Sequence, residues 1–170
     1  MKLIIGSILV FSLVILFLFA LFPSDISVSR VIQINRPRTE VFKKINDLQE
    51  WKNWNELLEA PRERGVVESH SNKTDSAYIR MDGLSVRIEK SGQGTIITRW
   101  EQGSKFFMSN FNLTESNGQT IMEWKLNFHV HWYPWEKLAS MFYDKQLGPV
   151  MEKSLLNLRN ELENNSPQAH

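Results

Sequence analysis

The chain has 170 residues, with 20 Lys and Arg against 19 Asp and Glu for a formal charge of +1. That balance leaves no broad basic field, so no nucleic-acid partner is expected, and the absence of cysteine excludes disulfides, thiolate catalysis and cysteine-ligated metal. Six Trp and ten Phe are many for this length, and so much aromatic surface needs a core, a cavity or a membrane interface.

From Leu3 to Phe22 there are twenty consecutive residues without a charge, and as a helix they would span about 30 Å, the thickness of a bilayer core. No small-x-small cleavage pattern follows at Phe19-Ala20-Leu21-Phe22-Pro23, so residues 1–23 read as an uncleaved transmembrane anchor rather than a signal peptide. Lys2 on one side and Arg30, Arg36 and Arg38 on the other pull the orientation in opposite directions. The expectation is a single-pass membrane protein with its domain on the periplasmic or extracytoplasmic side.

Ile26 to Asn35 follows as a strand rich in β-branched residues, and Pro37 to Ile45 as a short helix with Val41, Phe42 and Ile45 inward. Asp47 with Glu50 three residues on has the spacing of a capping box and opens a second short helix through Trp51 to Trp54. After Pro61 the texture changes to antiparallel hairpins. Six strands are expected near Gly65–Ser71, Ser76–Met81, Leu84–Lys90, Thr95–Glu101, Lys105–Glu115 and Gln119–Trp132, separated by turns of which Asp82-Gly83 is the sharpest. The last strand divides cleanly, with Met122, Trp124, Leu126, Phe128, Val130 and Trp132 on one side and Glu123, Lys125, Asn127, His129 and His131 on the other. Leu84, Val86 and Ile88, and Phe107, Phe111 and Leu113, extend the apolar face, which needs a helix to cover it.

Pro134 to Glu163 supplies that helix, because Leu138, Met141, Phe142, Leu147, Met151, Leu155, Leu158 and Leu162 recur at spacings near three and four. Pro149 has no amide N–H and crowds the carbonyl of Lys145, so with Gly148 before it the helix is expected to kink or break there. Two segments result, Pro134–Leu147 and Pro149–Glu163, with the mouth of any cavity between them. Residues 164–170 read as a disordered tail.

Three stretches carry a family resemblance: Ile32-Gln33-Ile34-Asn35-Arg36-Pro37-Arg38-Thr39-Glu40-Val41-Phe42; Asp47 with Trp51-Lys52-Asn53-Trp54; and the Gly148-Pro149 to Arg159 ending. Together they resemble the polyketide cyclase/dehydrase and lipid-transport branch of the START-like, or SRPBCC, superfamily. The resemblance implies an α+β helix-grip fold over residues 24–163: a seven-stranded curved antiparallel sheet, two short helices after the first strand, and a long kinked C-terminal helix. It also implies a cavity between sheet and helix, which Trp100, Phe107, Phe111, Trp124, Phe128, Met141 and Phe142 would line; the same residues would otherwise fill a solid core.

The expected function is therefore a membrane-anchored domain that binds a hydrophobic small molecule or lipid, without a cofactor. Two alternatives stay open: a cyclase/dehydrase- or hydrolase-type enzyme acting in that cavity, and a non-catalytic interaction module with a filled core. No catalytic residue is assigned. Glu101, Glu115, Asp82 and His70 sit beside strand ends or turns, and no nucleophile elbow, phosphate loop or HExxH pattern occurs. His129 and His131 share one side of a strand, but on its solvated face and without a third ligand, so no metal is expected. Trp132-Tyr133-Pro134-Trp135 reads as packing at the strand-to-helix junction, with a seat on the membrane surface as the alternative.

Overall fold

The computed structural model describes residues 2–20, 24–59, 68–70, 77–131 and 133–164. Helix α1 covers Lys2–Ala20, 19 residues or about 28 Å, and its large apolar side chains from Ile4 to Phe17, Ile15 apart, stand exposed. Among the described residues no helix is long and apolar enough to cross a membrane. The crossing expected over Leu3–Phe22 is thus not carried by the structure: the described helix stops at Ala20, and residues 21–23 lie outside the described part.

Strand β1 (Asp25–Ile34) is followed by α2 (Arg38–Asn46), a 3-10 turn (Leu48–Glu50), α3 (Trp51–Trp54) and a second 3-10 turn (Glu56–Leu58). The hairpins are β2 (Glu68–His70), β3 (Tyr78–Met81), β4 (Leu84–Gly92), β5 (Thr95–Gln102), β6 (Lys105–Ser116) and β7 (Gln119–His129). The strand order is β1-β7-β6-β5-β4-β3-β2, antiparallel throughout. Six strands make up the body of the sheet, and of the expected seventh the described residues hold β2, Glu68–His70, at the sheet edge. The expected start of that strand at Gly65 and the turn at Asn72–Asp75 lie outside the described residues, as do Trp132 and residues 165–170. Asp82 and Gly83 have φ of 37° and 77°, the paired left-handed conformation that the Asp-Gly signal anticipates in a two-residue hairpin.

Asp47 does act as a cap, its Oδ1 accepting from the Gln49 amide at 3.0 Å. The reciprocal half of the capping box is absent. Glu50 Oε2 instead accepts from Lys44 Nζ at 2.6 Å and Asn53 Nδ2 at 3.2 Å, because the chain enters a 3-10 turn in which the Glu50 side chain faces α2.

The C-terminal region forms α4 (Pro134–Ser140) and α5 (Tyr143–Asn164), so the break falls at Met141 and Phe142 rather than at Gly148-Pro149. Helix α5 runs through Pro149. Pro149 and Lys145 are both on the exposed side, where the carbonyl deprived of its donor can be hydrated. Gly148 faces the other way and lies under Arg30 of β1, whose guanidinium donates to Asp144 Oδ1 at 2.8 Å and Glu152 Oε1 at 2.7 Å. Farther along, Arg36 donates from Nε to the Leu162 carbonyl at 2.9 Å and from Nη2 to that of Glu163 at 3.1 Å, closing carbonyls that a helix end leaves free and placing a cation where the helix dipole favours one. Arg30 of β1 and Arg36, two residues past its end, thus strap α5 at its start and its end. Between the straps Met151, Leu155 and Leu158 are buried against the sheet.

Candidate ligand site

The centre of the space between sheet and α5 is occupied by five rings, Trp51, Trp54, Trp100, Phe111 and Trp124, each at most 1% exposed. Phe111 stacks on Trp124 with centroids 5.3 Å apart, and Trp51 meets Trp54, Trp100 and Phe111 at 5.4, 5.9 and 5.3 Å. A buried indole N–H needs an acceptor. Trp51 donates to the Ile45 carbonyl at 2.7 Å, Trp100 to Thr98 Oγ1 at 3.1 Å, and Trp124 to Ser109 Oγ at 2.8 Å. Thr98 and Ser109 are therefore polar residues placed inward to serve tryptophans. Trp51 and Trp54 do not figure among the lining residues expected from sequence. Their spacing of three on a helical segment, which points both to one side, is the signal that identifies them.

Toward the start of β6 and the end of β7 this packing loosens. Trp100 stacks on Phe107 at 5.5 Å, Phe107 meets Phe128 at 4.8 Å, and Phe128 meets Tyr143 at 5.0 Å, and these last three rings are only half-buried. A depression of about 440 Å³ lies beside these rings, lined by Ile26, Phe107 and Phe128 and, from the opposite side of the same strands, by Asp25, Ser27, Phe106, Met108, Asn127 and His129. A second depression of about 370 Å³ lies over Phe42, Lys43, Asn46, Leu48 and Ala77, with a more polar wall.

Of the seven lining residues expected from sequence, Trp100, Phe111 and Trp124 belong to the sealed centre, and Phe107 and Phe128 to the open end. Met141 and Phe142 stand apart at the α4–α5 turn, exposed. The sequence pattern put them, with Leu138, on the inward face; the structure turns α4 so that all three face out.

The titratable candidates are spoken for at the surface. His129 Nδ1 lies 2.8 Å from Asp25 Oδ1, and His131 Nδ1 lies 3.0 Å from Glu136 Oε2, so the two imidazoles go to different carboxylates. The His131 amide, at 2.8 Å, also donates to Glu136 and is the main cause holding that carboxyl below its usual range, with the imidazole adding to it. Glu101 pairs with Arg99 at 2.6 Å and Arg87 at 3.7 Å, and Glu115 accepts from the Arg38 amide at 3.1 Å. Asp82 occupies its hairpin turn, and the side chain of His70 lies outside the described residues.

An antiparallel sheet gripping one long, kinked C-terminal helix over an aromatic core, with two short helices after the first strand, is the α+β helix-grip architecture of START-like proteins. Residues 25–163 match the family described as polyketide cyclase / dehydrase and lipid transport, and the chain belongs to that family. Among solved structures, it is similar to a START superfamily protein from Mycobacterium smegmatis (TM-score 0.61, 13% identity, covering 82% of this chain and 99% of that one). TTHA0849 from Thermus thermophilus is comparable (TM-score 0.62, 14% identity, 83% and 100%). The di-domain ARO/CYC protein BexL, from the BE-7585A biosynthetic pathway, matches over about half its length (TM-score 0.59, 12% identity, 85% and 52%). At such identities the likeness is one of fold. No curated protein matches the chain.

Proposed function

We propose that the open aromatic end of the sheet–helix space receives a hydrophobic small molecule or a lipid, and that the domain works at a membrane with which α1 associates. The carrying observation is the grading of one continuous ring system. It is sealed at Trp51, Trp54, Trp100, Phe111 and Trp124, then half-buried at Phe107, Phe128 and Tyr143 beside a depression of about 440 Å³. A concavity of that size, where Ile26, Phe106, Phe107, Met108 and Phe128 meet Asp25, Ser27, Asn127 and His129, offers apolar surface for burial and a few polar groups to orient a ligand. The family description, which includes lipid transport, supports the same reading. Membrane association is supported by the exposed Ile, Leu, Val and Phe side chains of α1, which water disfavours. The proposal places the domain on the extracytoplasmic side; a reporter fused after His170 that is active only in the cytoplasm overturns that placement.

Native mass spectrometry of the full chain, released from detergent, tests the binding reading. The expected result is a hydrophobic adduct at one copy per chain that disappears in Phe128→Asp. Reproducible absence of an adduct, or the same adduct in the variant, overturns it.

A further inference from the structure

Helix α4 is inside out. Its neighbourhood exposes Trp135 (65%), Met141 (61%), Phe142 (53%), Leu138 (49%) and Tyr133 (38%), while the residues it buries are Lys137 (4%) and Ser140 (6%). A helix on a water-facing surface shows the reverse arrangement. The Ser140 hydroxyl donates to the Lys137 carbonyl at 2.7 Å. On the outer face the Tyr133 and Trp135 rings stack with centroids 4.9 Å apart and planes within 7°. This is a contiguous apolar patch with the two side chains that favour the headgroup level of a bilayer.

We infer that α4 is a bilayer-docking element, its face of Tyr133, Trp135, Leu138, Met141 and Phe142 seated at the boundary between headgroups and acyl chains. What selects a lipid surface as the occupant is continuity: α1, most of whose large apolar side chains between Ile4 and Phe17 are exposed, packs against α4, so the two present one apolar surface. Short amphipathic segments with Trp, Phe and Leu on one face bind in the plane of an interface in this way. The inference rests on the membrane association proposed for α1 and adds orientation to it. The α4–α5 turn leads directly into Tyr143, whose ring touches Phe128, so docking α4 brings the open aromatic end of the sheet to the lipid. A hydrophobic ligand would then pass between bilayer and domain without crossing water.

The chain has no cysteine, so single nitroxide labels can be introduced at Leu138→Cys, Met141→Cys, Phe11→Cys and, as a water-facing reference, Leu156→Cys on α5. The full chain is reconstituted into vesicles of phosphatidylcholine and phosphatidylglycerol, and collision with oxygen, which concentrates in lipid, is compared with collision with a water-soluble nickel chelate. The expected oxygen-to-nickel ratio is several-fold higher at 138 and 141 than at 156. If 138 and 141 behave like 156 while the α1 label reports lipid, docking of α4 is overturned and the α1 reading stands. If the α1 label also reports water, both fall. Spin–spin broadening between copies labelled at 138 would show instead that a second chain covers the patch, which also overturns the inference.

Discussion

Gly148 and Arg30 show how much of this fold depends on single atoms. In a helix interior Gly→Ala ordinarily gains about 1 kcal/mol. At Gly148 a Cβ would stand 2.0 Å from Arg30 Nη2, and the guanidinium would have to leave its place between Asp144 and Glu152. The hydrogen bond from Arg30 holds the Asp144 carboxyl below its usual range, and those two carboxylates in turn raise the Arg30 pKa. Gly148→Ala is therefore expected to be less favourable in the native chain than in an Arg30→Met background. Urea unfolding of the four chains of that cycle measures the difference; equal effects in both backgrounds would show that the strap is not coupled to the glycine.

At the scale of elements, short helices are held to the long one by charge as well as by packing. Lys44 on α2 reaches Glu50 at 2.6 Å and Glu161 on α5 at 2.9 Å. Burial pulls the Lys44 pKa down, but the hydrogen bonds to both carboxylates outweigh it and the net shift is upward; Glu50 is shifted down, chiefly by its bond to Lys44. A lowered Glu pKa stabilises the fold above the ordinary Glu value of about 4.3 and loses that contribution as pH falls through the folded value. A raised Lys pKa contributes below its ordinary value of about 10.4 and is lost as pH rises through the folded value. Lys44→Met should thus cost most between roughly pH 5 and 10, by about 1 kcal/mol for partly exposed pairs. Its urea midpoint should converge on that of the native chain near pH 3. A deficit independent of pH would mean that Lys44 acts through its methylenes instead.

On the scale of the whole molecule, one ring system serves two ends differently. Phe111→Ala empties a site enclosed by Trp51, Trp54 and Trp124, and should cost about 3–5 kcal/mol. Phe107→Ala, at the half-buried end, should cost clearly less by the same denaturant titration. If the two costs are equal, the open end is solid core and offers a ligand no room.

Local periodicity and turn chemistry are legible in the residues alone. Alternation of two assigned Met122, Trp124, Leu126 and Phe128 to the inner face, Asp82-Gly83 marked a hairpin, and Asp47 marked a cap, because each rule acts over a few neighbouring residues. Periodicity near 3.6 likewise found Met151, Leu155 and Leu158 on the gripped face of α5. The same rule failed at Leu138, Met141 and Phe142, since a helical stripe shows that one face differs from the other without showing which medium it meets. The medium follows from how α4 packs on the rest of the chain, which leaves Leu138, Met141 and Phe142 exposed. Packing likewise sets the meaning of Gly148-Pro149, a breaker by local propensity that becomes a seat for Arg30, because the atoms around it come from a strand more than a hundred residues away.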